Sequence, residues 1–199
     1  MSGVTCLEKK VYIIYRLSNT IRVFTTDMRQ EEQVITIEEM RFPLDITACQ
    51  VDRKLYVADS GSCLSDGCIW GVSPENPSEQ VKLALTDEFQ ALSVKSPNLL
   101  LTSPRSLHQY HTADGQLMRT IVLPDYVTLL YHGVETTRGT LVVGHRGMEK
   151  SKNHAAVGRL LNIHRLSSSQ DRIQSMPCPV QKSGGHNQCL LYTSDAADE

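Results

Sequence analysis

Four apolar strands recur along this chain at a period of about 43 residues, and that spacing constrains the fold more than any other feature. They occupy residues 11–16, 55–60, 99–103 and 141–145, with starts 44, 44 and 42 residues apart. A repeat of this length built from short strands cannot bury both of its own faces, so it must stack on copies of itself. The expected fold class is therefore all-β: a partial β-propeller of about four blades, each a four-stranded antiparallel sheet.

Short β-branched and aromatic runs separated by Gly, Asp, Asn and Pro fill in the remaining strands. The pattern predicts strands over residues 4–7, 11–16, 21–25 and 33–37 in the first blade, then 46–51, 55–58, 68–72 and 80–85 in the second. The third reads 90–94, 99–102, 107–111 and 117–123, and the fourth 129–135, 141–144 and 157–164 before the signal fades after Ser167. Asp59-Ser60-Gly61 and Ala113-Asp114-Gly115 are turn signals, since Gly supplies left-handed backbone and Asp caps its own turn. The expected blades span about 1–40, 41–86, 87–124 and 125–166, together forming an incomplete propeller over 1–166. Residues 167–188 read as a loop or the start of a next strand. A partial ring leaves two blade faces without a neighbour.

With 40% hydrophobic and 21% charged residues, the 199-residue chain has the composition of a soluble globular protein. No apolar run approaches the roughly 18 residues of a membrane helix, and no basic stretch followed by an apolar core opens the sequence. The expected location is cytoplasmic, with no membrane partner. Residues 189–199 resemble the conceptual translation of a sequencing-library adapter and are expected to be a non-native tail. Without Asp195, Asp198 and Glu199 the body is close to neutral, which gives no global case for polyanion binding.

Phe42-Pro43-Leu44-Asp45-Ile46 enters an inner strand, and Leu55-Tyr56-Val57-Ala58-Asp59-Ser60 forms the second. Cys68-Ile69-Trp70-Gly71-Val72 reads as the third strand, Thr112-Ala113-Asp114-Gly115 as a turn before a fourth, and Ser18-Asn19-Thr20-Ile21-Arg22-Val23-Phe24 as the approach to another third strand. On these motifs the repeat units resemble NHL repeats of six-bladed propellers, as found in invertebrate tripartite-motif proteins. The Asn-His-Arg triplet that names the repeat is absent. The Gly-His and Trp-Asp dipeptides of WD propellers are missing as well.

Aligning the repeats puts Ser2, Asp45, Gln90 and His132 where each inner strand begins, at spacings of 43, 45 and 42 residues. In a propeller these entries ring one mouth of the central channel, so the four polar residues form either a binding rim or simply its wet end. The resemblance to NHL-like lyases and lactonase-type propellers implies metal chemistry there, with Asp45 and His132 as two ligands and Glu135 or His145 as a third. His108 and His111 lie on opposite sides of one strand and make a poor ligand pair. The reading adopted assigns no catalytic residue, no metal and no cofactor.

Cys63 and Cys68 flank an insertion and are either a local disulfide or two reduced thiols, the latter expected in a reducing cytosol. Cys6 and Cys49, at matching places in adjacent inner strands, are expected to be small buried residues. The insertion over residues 145–159 is the most basic stretch, with Arg146, Lys150, Lys152 and Arg159 against Glu149. Resemblance to RNA-binding NHL propellers makes these four a candidate phosphate-contacting loop. No phosphate-binding Gly-x-x-x-x-Gly-Lys loop and no Gly-x-Ser-x-Gly elbow occurs. The expected function is a non-catalytic scaffold that binds a protein partner. An RNA-binding propeller and a metal-dependent lyase or lactonase are the alternatives.

Overall fold

The computed structural model describes residues 2–61, 67–84, 89–123, 127–136, 140–147, 158–164 and 172–177. They form sixteen strands in four sheets, each a four-stranded antiparallel meander in chain order. The first sheet holds β1 (Gly3–Leu7), β2 (Lys10–Ile14), β3 (Thr20–Thr25) and β4 (Glu31–Thr36). The second holds β5 (Pro43–Cys49), β6 (Lys54–Asp59), β7 (Cys68–Val72) and β8 (Gln80–Ala84). In the third lie β9 (Ala91–Lys95), β10 (Asn98–Thr102), β11 (Ser106–His111) and β12 (Leu117–Val122). The fourth comprises β13 (Val127–Glu135), β14 (Leu141–Gly147), β15 (Gly158–His164) and β16 (Arg172–Pro177).

The last strand lies beyond residue 166, so the fourth blade runs further than its sequence pattern indicates. Arg172, Gln174 and Ser175 give β16 a polar composition, and it is identified by its ladder with β15 rather than by an apolar period. Residues 145–147 and 158 likewise belong to a hairpin ladder, with His145 opposite Arg159 and Arg146 opposite Gly158. The basic insertion is therefore shorter than its sequence outline.

The blades stack face to face, and three apolar cores among the described residues lie between consecutive sheets. Ile14, Ile21 and Ile35 of the first blade pack on Leu55, Val57 and Trp70 of the second. Tyr56, Ile69 and Leu83 of the second meet Leu92, Leu99 and Tyr110 of the third. Leu100, Leu107 and Ile121 then meet Leu130, Leu141 and Val143. Strand β6 shows why its sequence is apolar without a break: Leu55 and Val57 enter one core while Tyr56 and Ala58 enter the next. Each fully buried Ile or Leu in these layers contributes roughly 1.5–3 kcal/mol.

Both turn signals work as their chemistry requires. Gly115 adopts φ +67°, its N–H donates to His111 O at 3.0 Å, and Asp114 Oδ1 accepts from Gln116 N at 3.0 Å. At the end of β6 the Asp59 carboxylate is buried and accepts from the backbone N–H groups of Arg41 (3.0 Å), Phe42 (2.7 Å) and Gly61 (3.1 Å). It thereby ties the entry of the second blade to that blade's own second strand.

The cysteines differ from expectation at one position. Cys49 is buried, whereas Cys6 is exposed. Cys6 lies opposite Val11, on the side of the first blade that faces away from the second, while Cys49 joins the core shared with the third. Cys68 is buried, and Cys63 lies outside the described residues.

Candidate functional site

The four inner strands β1, β5, β9 and β13 lie side by side, and their register defines the site. Opposite the repeat-equivalent residues Ile14, Ala58, Thr102 and Gly144 of the second strands stand Gly3, Asp45, Ala91 and His132. Ser2 and Gln90 come one residue earlier, and their N–H groups donate to Ile14 O (3.0 Å) and Thr102 O (2.7 Å). The offset arises from the links to the second strands, two residues long in the first and third blades, four in the second and five in the fourth. Strand β5 skips register between Pro43 and Asp45, and β13 does so between Leu130 and His132. A bulge bends its strand and re-aims the next side chain. The two residues with chemistry are those that follow the bulges.

Asp45 connects three blades. Its Oδ1 accepts its own strand's Ile46 N–H at 2.9 Å, and its Oδ2 accepts Leu92 N–H of the third blade at 2.9 Å. The same Oδ2 lies 3.7 Å from Nε2 of His132 in the fourth blade. Space for the carboxylate comes from the first blade, where a methyl group on Gly3 would sit 2.9 Å from Ile46 N and 3.2 Å from Asp45 Oδ1. Burial pushes the Asp45 carboxyl above its ordinary value, and the Leu92 N–H and the nearby His132 ring pull partly the other way. The Nδ1 atom of His132 is buried without a hydrogen-bond partner.

Among the described residues, no three His, Cys, Asp or Glu side chains gather closely enough to hold a metal ion. Glu135 is engaged elsewhere. Its Oε2 accepts from Gln109 Nε2 at 3.0 Å, its Oε1 lies 3.5 Å from Lys95 Nζ, and Gln109 Oε1 in turn accepts from Arg119 Nε at 2.8 Å. His108 is likewise held within its own blade, by Ser106 Oγ at 2.8 Å and Thr120 Oγ1 at 3.1 Å. Arg146 and Arg159 lie in the β14–β15 hairpin by backbone, whereas Lys150, Lys152 and the side chains of His145, Arg146 and Arg159 fall outside the described residues.

Two members of the site escape sequence reasoning. Gly3 acts by having no side chain, and the Leu92 N–H acts through the backbone. A polar-residue search registers neither. The only sequence trace is the small residue at positions 3 and 91, where the other two repeats carry Asp and His.

These features define a β-propeller built of four-stranded blades. No family model matches the chain, and no curated protein matches it in sequence. Solved structures do match in fold. Hydrazine synthase from Kuenenia stuttgartiensis aligns with a TM-score of 0.67 at 17% identity, over 88% of this chain and 53% of that one. The β-propeller domain of the Trilobed protease from Pyrococcus furiosus aligns at 0.56 with 13% identity, over 88% and 56%. The Cps50 (Swd1) β-propeller domain from Myceliophteria thermophila aligns at 0.58 with 8% identity, over 88% and 57%. The chain thus spans a little over half the length of these structures, and at such identities the likeness is one of fold. Among the described residues no helix is long and apolar enough to cross a membrane.

Proposed function

We propose that this chain is a non-catalytic interaction scaffold, an NHL-like propeller that presents the Asp45–His132 pair to a protein partner. The observation that carries the reading is the 3.7 Å approach of Asp45 Oδ2 to His132 Nε2 from blades that are not adjacent. The carboxylate is anchored by two backbone N–H groups, so its position is set before any partner arrives. An anchored carboxylate beside an imidazole suits the ammonium or guanidinium of a partner's Lys or Arg, which forms charge-assisted hydrogen bonds with such groups. Propeller domains in general serve as scaffolds of this kind, and the neighbouring folds support that coarse class.

The test is quantitative affinity capture with the wild-type chain, Asp45→Asn and a surface control, Lys54→Gln. Proteins retained by wild type and control but reduced at least about tenfold by Asp45→Asn, a difference of about 1.4 kcal/mol, would support the site. Equal retention by all three, with the variants folded by Trp70 fluorescence, would remove it.

A further inference from the structure

The link between β2 and β3, residues 15–19, holds an apolar side chain where the backbone does not favour one. Ser18 N–H donates to Tyr15 O at 3.1 Å, which closes a β-turn with Arg16 and Leu17 at its centre. Leu17 has φ +68° there. A turn with left-handed backbone at its third residue ordinarily takes Gly or Asn, because a Cβ crowds the chain in that region. The turn is nevertheless firmly held. Ser18 Oγ and Thr20 Oγ1 share a hydrogen bond of 2.8 Å, and Ser18 Oγ also accepts Thr20 N–H at 3.3 Å. Asn19 O accepts Ile37 N–H at 2.8 Å.

No burial accompanies this strain. Leu17 is 71% exposed, Tyr15 is 36% exposed, and Arg16 between them is exposed as well. Three other described residues besides glycine have left-handed backbone. Glu8 and Arg53 pair with each other across the first two blades at 2.6 Å, and Met28 lies in the β3–β4 link at the other end of its sheet. Val51 is 80% exposed, but its backbone is not left-handed. Leu17 combines an apolar side chain, a strained backbone and exposure to water. Strain of this kind, enforced by surrounding hydrogen bonds, gathers at functional positions.

The turn stands beside the Asp45–His132 site. In each meander the second strand ends where the inner strand begins, and Ser2 N–H donates to Ile14 O, one residue before Tyr15. Gly3, next to Ser2, is the residue whose missing side chain makes room for the Asp45 carboxylate. A single partner therefore reaches the turn and the pair together.

We propose that Tyr15, Arg16 and Leu17 form the anchor of the partner-binding surface, and that the partner is a folded protein with an apolar socket flanked by a carboxylate. This deepens the scaffold reading and rests on it. Leu17 fills the socket, Arg16 makes charge-assisted hydrogen bonds to the carboxylate, and a Lys or Arg of the same partner meets Asp45. Tyr and Arg around a central, desolvated contact are the composition of energetic centres in protein interfaces. Leucine offers nucleic acid neither a base-stacking ring nor a hydrogen bond, so the anchor favours protein.

The experiment places a diazirine analogue of leucine at position 17 of the full chain and irradiates it in an extract of the cells that make it. The same analogue at position 51 is the control. The expected crosslinks fall on one folded protein, at apolar residues flanked by Asp or Glu, at least about tenfold above the control. Leu17→Gly should lower retention of that protein on the immobilised chain at least about tenfold. Its urea midpoint, read by Trp70 fluorescence, should equal or exceed that of wild type, because Gly adopts this φ without strain. Equal crosslinking from positions 17 and 51, or crosslinks confined to nucleic acid, would overturn the proposal. A lower urea midpoint in Leu17→Gly would overturn it too, by showing that the leucine serves packing within the chain. Retention that falls in Asp45→Asn but not in Leu17→Gly overturns the anchor and leaves the scaffold reading in place. Retention that falls in Leu17→Gly but not in Asp45→Asn supports the anchor and removes the pair from the interface.

Discussion

The indole N–H of Trp70 donates to Asp59 Oδ2 at 3.3 Å, inside a carboxylate that already receives the N–H groups of Arg41, Phe42 and Gly61. One buried anion thus closes the second blade onto its own entry segment. Asp59→Ala leaves these donors without an acceptor and should cost about 2–4 kcal/mol. Asp59→Asn keeps the shape but offers fewer acceptor sites to the same donors, and should fall in between. Urea unfolding followed by Trp70 fluorescence measures both, and an Asp59→Ala loss below about 1 kcal/mol would contradict the assignment.

Asp45 makes stability depend on pH in a defined direction. Burial raises its carboxyl above the ordinary value of 3.8, so through that window the folded state binds more protons than the unfolded one. The contribution of this group to stability is therefore greatest at low pH, declines as pH rises from 3.8 through the raised value, and is constant above it. Because the His132 ring lowers the Asp45 value, His132→Ala should move the carboxyl titration further upward. Carbon-13 NMR of the side-chain carboxyl checks both statements. A downward shift in His132→Ala would refute the coupling.

Gly3 is predicted to be intolerant of any side chain. A methyl at 2.9 Å from the Ile46 backbone nitrogen has no flexible neighbour to displace, so β1 must move off β5. Gly3→Ala should cost about 1–3 kcal/mol. It should also weaken the hydrogen bonds at Asp45, visible as faster exchange of the Leu92 amide proton. An exchange rate at Leu92 equal to wild type would show that the inner strands accommodate the methyl elsewhere.

Cys68 should be chemically silent. Burial, reinforced by the Asp59 charge, pushes its thiol up to about 12 from 9.0. At pH 8.5 it then holds about a thousandfold less thiolate than an ordinary thiol. Site-resolved mass spectrometry after iodoacetamide treatment should find Cys68 alkylated only at the rate of unfolding. Modification of Cys68 on the time scale of an exposed thiol would count against its burial.

The propeller was legible in the sequence because the second strands carry no irregularity. Ile14, Ala58, Thr102 and Gly144 keep the repeat spacing, and β6 and β10 are apolar on both faces because each lies between two sheets. The inner strands were less legible. Counting residues aligned Ser2 and Gln90 with Asp45 and His132, whereas the ladders align Gly3 and Ala91 with them. The links between inner and second strands differ in length, two residues in the first and third blades against four in the second and five in the fourth, and the apolar period does not tell link residues from ladder residues. The exposure of Cys6 was hidden for a related reason: strand alternation shows that a face is apolar, not whether another sheet covers it. Strand β16 escaped notice because its polar side chains leave the ladder with β15 as its main signature.

The links between inner and second strands carry a consequence for how this site is gained or lost in evolution. Asp45 stands opposite Ala58 and His132 opposite Gly144 because four residues separate β5 from β6 and five separate β13 from β14, against two in the first and third blades. A change of one residue there that slipped the ladder by one would turn the side chain to the other face of its sheet. A substitution scan of Asp45 and His132 would miss that route entirely. The pair could vanish from a related chain that retains both residues, through a change of length alone.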